Sequence, residues 1–107
     1  MTAERDIQRE ILLALGRMER VRAFRLNVGF AKDRRGRGVR FGVPGMADIL
    51  VLVGPRYLWL EVKSPSGRQS PEQRAFESMV SELGGAYRIV RSVEEALRAV
   101  EEVARGS

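Results

Sequence analysis

Between residues 45 and 73 the chain reads GMADILVLVGPRYLWLEVKSPSGRQSPEQ, two apolar runs separated by Gly54-Pro55-Arg56. Runs rich in Ile, Leu, Val and aromatic residues and broken by a Gly-Pro turn predict a hairpin of two short buried strands. Asp48 opens the first run and Glu61-Val62-Lys63 closes the second. Side chains alternate across a strand, so Tyr57, Trp59, Glu61 and Lys63 share one face, and Leu58, Leu60 and Val62 the other.

The remaining pattern divides into helices and single strands. Apolar residues at helical spacing predict a helix over residues 3–20, with Thr2 at its N-cap. At 100° per residue, Glu4 and Gln8 fall on the face of Ile7, Ile11 and Leu15, whereas Glu10 turns toward Arg17 on the polar side. Residues 22–30 alternate loosely and predict a strand, followed by a basic loop and the turn Gly42-Val43-Pro44-Gly45. Ser70, Pro71 and Gln73 have the spacing of an N-cap, an N1 proline and a capping-box partner, which opens a helix that Gly84-Gly85 ends. Residues 86–91 predict a strand, and Ser92 with Glu95 a second capping box for a helix to about Ala104. The expected order is α-β-β-β-α-β-α.

Length and composition narrow the class. A chain of 107 residues suffices for one core and not for two, so a single domain over residues 1–107 is expected. Cysteine and histidine are both absent, which removes a disulfide framework and the usual zinc ligands. No signal-peptide core or apolar run of about 20 residues is visible, so an interior, cytoplasmic location without membrane contact is expected.

Charge adds a partner. Of the net +5, residues 17–40 hold nine basic groups against Glu19 and Asp33. Arg25, Asn27, Lys32, Arg34, Arg35, Arg37 and Arg40 in this segment are the candidate DNA contacts, since arginines spaced by glycines suit a phosphate backbone. A solvated loop without a partner is the plainer alternative.

Candidate chemistry lies at the hairpin ends. Unpaired buried carboxylates cost roughly several kcal/mol each, so Asp48 and Glu61 call for a compensating cation. Mg²⁺ suits them, because it takes carboxylate and water oxygens and leaves positions for a phosphate. Only Lys32 and Lys63 are lysines among nineteen basic residues, so a compact ammonium is kept at residue 63 in an arginine-biased chain. The alternative is an ordinary same-face ion pair between Glu61 and Lys63. Glu4 has two readings also: a first-turn acid answering the helix dipole, or an inward carboxylate at a site. Gln73 is equally open between helix cap and site residue.

The strand-start acid, the following Glu-x-Lys and this element order resemble the PD-(D/E)xK nuclease superfamily, and in detail its VRR-NUC branch. The matching residues are Glu4 and Gln8, Arg25-Leu26-Asn27-Val28-Gly29, Gly42-Val43-Pro44-Gly45 before Asp48, Glu61-Val62-Lys63-Ser64-Pro65, and Gln73, which together span nearly the whole chain. The residue before Asp48 is Ala47 where that motif has proline, and the closing Val90-Arg91-Ser92 keeps only part of the family's Val-Arg-Arg signature, with no evident catalyst in it.

The resemblance implies an α/β fold with a restriction-endonuclease-like core (α-β-β-β-α-β), a mixed sheet and a C-terminal helix. It implies that Asp48, Glu61 and the Val62 carbonyl bind Mg²⁺ or Mn²⁺, with Glu4 contributing directly or through water. Lys63 would position the attacking water, Gln73 would assist at the scissile phosphate, and Gln8 would support the site. The implied function is a metal-dependent, structure-specific DNA endonuclease, leaving 5′-phosphate and 3′-hydroxyl ends and resolving four-way (Holliday) junctions as a homodimer. Apolar Val93, Leu97 and Val100 of the last helix are available either to a dimer contact or to the core. The alternatives are a nuclease for flaps, nicks or duplex, and a non-catalytic nucleic-acid-binding module.

Overall fold

The computed structural model describes residues 3–26 and 29–106, with the backbone alone for residues 29–31 and 39–41. Three helices and six strands follow in the order α1 (Glu4–Leu15), β1 (Val21–Arg25), β2 (Gly29–Lys32), β3 (Gly38–Phe41), β4 (Ile49–Val53), β5 (Arg56–Val62), α2 (Pro71–Glu82), β6 (Ala86–Val90) and α3 (Val93–Ala104). The fold is α/β, built on a mixed four-stranded sheet in the order β1-β4-β5-β6. β4 pairs antiparallel with β1 and β5, and β6 runs parallel to β5 with Val62 beside Val90.

The hairpin predicted from the apolar runs forms as expected, with Val53 opposite Arg56 across the Gly54-Pro55 loop. Alternation then sorts the two faces. Leu58, Leu60 and Val62 join Ile7, Ile11 and Leu15 of α1 and Ala96, Val100 and Val103 of α3 in one core. On the opposite face α2 covers the β6 side, where Phe76, Val80, Tyr87 and Ala47 form a second cluster with Trp59 against it. Trp59 and Phe76 meet edge to face at 5.2 Å. Val100 is buried and Val93 and Leu97 pack against the core, so these α3 residues serve packing.

Three expectations change. The first helix ends at Leu15, not near residue 20, because the low-propensity Gly16 caps it and the chain must reverse before β1. Its N-cap is Ala3, which offers no side-chain acceptor; Thr2 lies outside the described residues. The strand expected over 22–30 stops at Arg25, and the supposed basic loop is a separate antiparallel ribbon, β2–β3. Val39 and Phe41 favour extended backbone, and Asp33 to Gly36 supplies the turn between the ribbon's strands. Among the described residues this ribbon packs against no other helix or strand.

Candidate active site

Asp48 sits one residue before β4, and its Oδ2 accepts the Val62 backbone N–H at 2.8 Å. That bond ties the start of β4 to the end of β5. Glu61, on β5, is 1% exposed, and Lys63, just past the strand, is 7% exposed. The Lys63 Nζ lies 3.6 Å from Glu61 Oε2. This is a buried pair rather than an ordinary surface ion pair, and its environment makes it chemically unusual. Burial, and then the neighbouring Asp48 charge, push the Glu61 carboxyl up to about 8, against the opposing pull of Lys63. Burial likewise raises Asp48, although the Val62 N–H holds it down; the Glu4 charge adds to the rise. Glu61 Oε1 is buried with no hydrogen-bond partner.

Gln73 forms the helix cap and also reaches Glu61. Its Oε1 accepts the Ser70 backbone N–H at 2.8 Å while Ser70 Oγ accepts the Gln73 N–H at 3.2 Å, which completes the capping box. The opposite end of the same amide, Nε2, donates to Glu61 Oε2 at 2.8 Å. The cap therefore fixes the rotamer that delivers the donor. Gly45 brings α2 close enough for this: at φ +79°, a Cβ there would stand 2.1 Å from the Glu72 carbonyl oxygen. Only glycine meets both the backbone angle and the close approach.

An open cleft of about 410 Å³ lies beside this cluster, lined in part by Gln8, Arg25, Met46, Asp48, Glu72 and Gln73. Gln8 is half-buried and lines the cleft, and Arg25 reaches it from the end of β1. Glu4 departs from expectation: it is exposed, not on the buried face. Its carboxylate nevertheless leans toward the turn after Lys63, since a Cβ on Gly67 would meet Glu4 Oε2 at 3.3 Å and Lys63 Cδ at 3.4 Å. Among the described residues no three acidic side chains converge as a ready-made metal cage. The acidic centre is the Asp48–Glu61 pair, with Glu4 standing off.

The basic segment splits by role. Asp33 organises the ribbon tip: its Oδ1 accepts the backbone N–H groups of Arg35 and Arg37, both at 2.9 Å, and its Oδ2 accepts Arg37 Nε at 2.9 Å. The two backbone bonds, led by that of Arg37, hold the Asp33 carboxyl below the usual range. Arg37 is thus partly neutralised, whereas Lys32, Arg34 and Arg35 are exposed. Asn27 and the side chain of Arg40 lie outside the described residues.

Sequence reasoning passed over Arg91. Its Nη1 donates to the carbonyl oxygens of Ser64 at 2.6 Å and Gly67 at 2.8 Å, with Pro65 at 3.5 Å. Nothing in the local pattern marks a residue just past a strand as the anchor of a turn 24 to 27 positions earlier; only the parallel β5–β6 pairing brings them together. The second expected capping box is also shifted. Ser92 Oγ accepts the Glu95 N–H at 3.2 Å, but Glu95 Oε1 reaches the backbone N–H of Arg91 at 2.9 Å. Comparisons with family models, curated proteins and solved structures return no match to this chain.

Proposed function

We propose that the protein is a metal-dependent DNA endonuclease with a restriction-endonuclease-like core, acting on branched DNA, four-way junctions foremost, as a homodimer. One observation carries this reading. Two carboxyls, half-buried Asp48 and fully buried Glu61, are brought together beside the Lys63 ammonium, with Asp48 lining an open cleft and one Glu61 oxygen left unpartnered. A buried like-charge pair is retained at a cost unless a cation or proton joins it. Hard oxygen donors with an unused lone pair fit Mg²⁺ or Mn²⁺.

Asp48 and Glu61 would hold the ion, with the Val62 carbonyl beside them; Glu4 fits contact through water better than direct ligation, because it is exposed and stands off. When bound, a divalent ion supplies charge stabilisation for the pentacovalent phosphorus and lowers the pKa of a water ligand. The chain's own groups supply the rest. Lys63, held near Glu61, orients the attacking water by hydrogen bonding and places positive charge by the phosphate oxygens. Gln73 fixes the Glu61 carboxylate through Nε2, which would leave its second oxygen free to serve an ion. Arg25, at the cleft, and Lys32, Arg34 and Arg35, on the ribbon, grip the DNA backbone, which positions the strand without reading its sequence. Because α3 is used up in the core, the surface favoured for a second copy is the β1–β4 half of the sheet face beside α2.

The test is cleavage of a labelled four-way junction and a matched linear duplex with Mg²⁺, Mn²⁺ or EDTA, using wild type and Lys63→Ala. Metal-dependent paired nicks near the branch point that vanish in the variant are expected. Tight binding without cutting under every metal condition would turn the reading to a non-catalytic DNA-binding module.

A further inference from the structure

Arg91 follows β6 directly, and the parallel register that sets Val62 beside Val90 places it abreast of Lys63. The Lys63 N–H donates to the Val90 carbonyl at 3.0 Å, so the ladder runs one residue past β5 before the chain turns away through residues 64–67. That turn closes on itself with the Gly67 N–H on the Ser64 carbonyl at 3.1 Å. Arg91 then gathers its carbonyls, with Nη1 on Ser64 and Gly67 and within reach of Pro65. The arginine is itself anchored, because Glu95 at the start of α3 accepts its backbone N–H.

The turn bears directly on the site. Gly67 sits against both the Lys63 stem and the Glu4 carboxylate, so it walls in a side chain with four rotatable carbons. The ammonium of such a side chain is held in one place only if the walls around its stem are held. A guanidinium suits this role, being permanently charged, planar and able to meet several carbonyl dipoles at once. With Nη1 committed to these partners and partly buried, Arg91 is poorly placed to serve as a phosphate ligand.

We propose that Arg91 is a positioning residue for Lys63, holding the 64–67 turn over the lysine stem and against Glu4. Its effect on cleavage rests on the nuclease reading; its effect on the turn does not. The experiment therefore has two arms, each using wild type, Arg91→Ala and Arg91→Lys, the last keeping a charge on a side chain one bond shorter in reach.

The first arm needs neither DNA nor metal. Amide exchange at Gly67 should rise by about 10-fold or more in Arg91→Ala while the sheet stays protected. Since Lys32 and Lys63 are the only lysines, ¹⁵N-lysine spectra hold two side-chain signals, and the Lys63 signal should move toward that of exposed Lys32. Unchanged Gly67 exchange with an unmoved Lys63 signal would overturn the proposal. Should Arg91→Ala not fold, Arg91→Lys gives the same two readings at smaller amplitude. The second arm follows junction cleavage with Mg²⁺. In Arg91→Ala the kcat should fall by roughly 10- to 100-fold, the loss expected of a displaced catalytic group, while KM stays within about 3-fold. Millimolar guanidinium should recover part of the kcat in Arg91→Ala and none in Lys63→Ala. A raised KM with kcat intact would make Arg91 a DNA contact and overturn the proposal. If wild type cuts no DNA, the nuclease reading fails and the first arm alone decides the role of Arg91.

Discussion

Glu61 is the residue on which pH and metal should act most directly. Its carboxyl is raised from 4.5 to about 8 by burial and by Asp48, so between those values the folded protein binds a proton that the unfolded chain has released. Stability then falls as pH rises. The contribution is whole below about 4.5 and is lost as pH climbs through about 8. In EDTA the wild type should therefore melt at a lower temperature at pH 8 than at pH 5.5. Glu61→Gln keeps an acceptor for Gln73 and should flatten that slope, gaining about 1 kcal/mol at pH 8, or about 4–8 °C in Tm for a domain of this size. Mg²⁺ should raise the wild-type Tm at pH 8 and leave Glu61→Gln little changed. An equal slope in both proteins would mean Glu61 is not the titrating group. For Lys63 the expected signature is kinetic: Lys63→Ala should cut junction cleavage by roughly 10²- to 10⁴-fold, the usual share of proton-transfer catalysis, with DNA affinity retained in a gel-shift titration. Most of this centre was legible in the sequence, because strand alternation alone puts Glu61 and Lys63 on one face and strand order brings Asp48 to them. The exposure of Glu4 was not, because a helical wheel gives direction about an axis and not how far the first turn overhangs the sheet.

Elements set the precision of the site, and the contact between the Gly45 turn and the start of α2 is the tightest part of that setting. Gly45→Ala would force a side chain into a positive φ and against the Glu72 carbonyl. The backbone strain costs about 1–3 kcal/mol, and the overpacking typically about 1–3 kcal/mol more. Urea denaturation should register that loss. Because the shift moves the Ser70–Gln73 cap, cleavage by the folded fraction should fall further in Gly45→Ala than in Gly85→Ala, whose Cβ would press on the Val80 side chain instead. The α2 boundaries could be read in advance because Ser70, Pro71, Gln73 and the glycine pair are local signals. Gly84, at φ +81°, carries the left-handed turn that ends the helix, with the Gly85 N–H on the Val80 carbonyl at 2.9 Å. The ribbon was hidden for the opposite reason. Its charges dominate the segment, and the two Asp33 backbone bonds that make 33–37 a turn are invisible to hydrophobic periodicity.

At the scale of the molecule the ribbon and the open sheet face stand apart from the chemistry. The radius of gyration, 14.6 Å, exceeds the roughly 13 Å of a compact chain of this length, and the long axis reaches 48 Å. An arm that, among the described residues, packs on no other helix or strand accounts for such elongation, and it carries Arg34 and Arg35 exposed at its tip. Replacing both with alanine should lower the log–log salt slope of DNA binding by about one unit per lost phosphate contact and spare the chemical step at saturating DNA. Arg37→Ala should lower it less, since Asp33 already neutralises that guanidinium. The sheet face predicts a different variable, protein concentration. α2 covers the β6 side and leaves Phe24, Leu52 and Tyr57 exposed on the sheet, while α2 exposes Met79 and Leu83 is exposed just past its end. Phe24, Leu52 and Tyr57 share one face of adjacent strands, and a contiguous exposed apolar patch is the usual mark of an interaction site. Paired nicks across a junction need two sites related by a two-fold axis, and a two-fold contact is made by one patch meeting its own copy. If the protein self-associates through this face, Leu52→Glu with Tyr57→Ser should therefore shift it to a monomer by sedimentation velocity. It should also convert paired junction nicks into single ones while cutting at each site continues. A dimer that survives both changes would move the contact to another face, and a wild type that sediments as a monomer even with junction DNA would remove the symmetric mechanism.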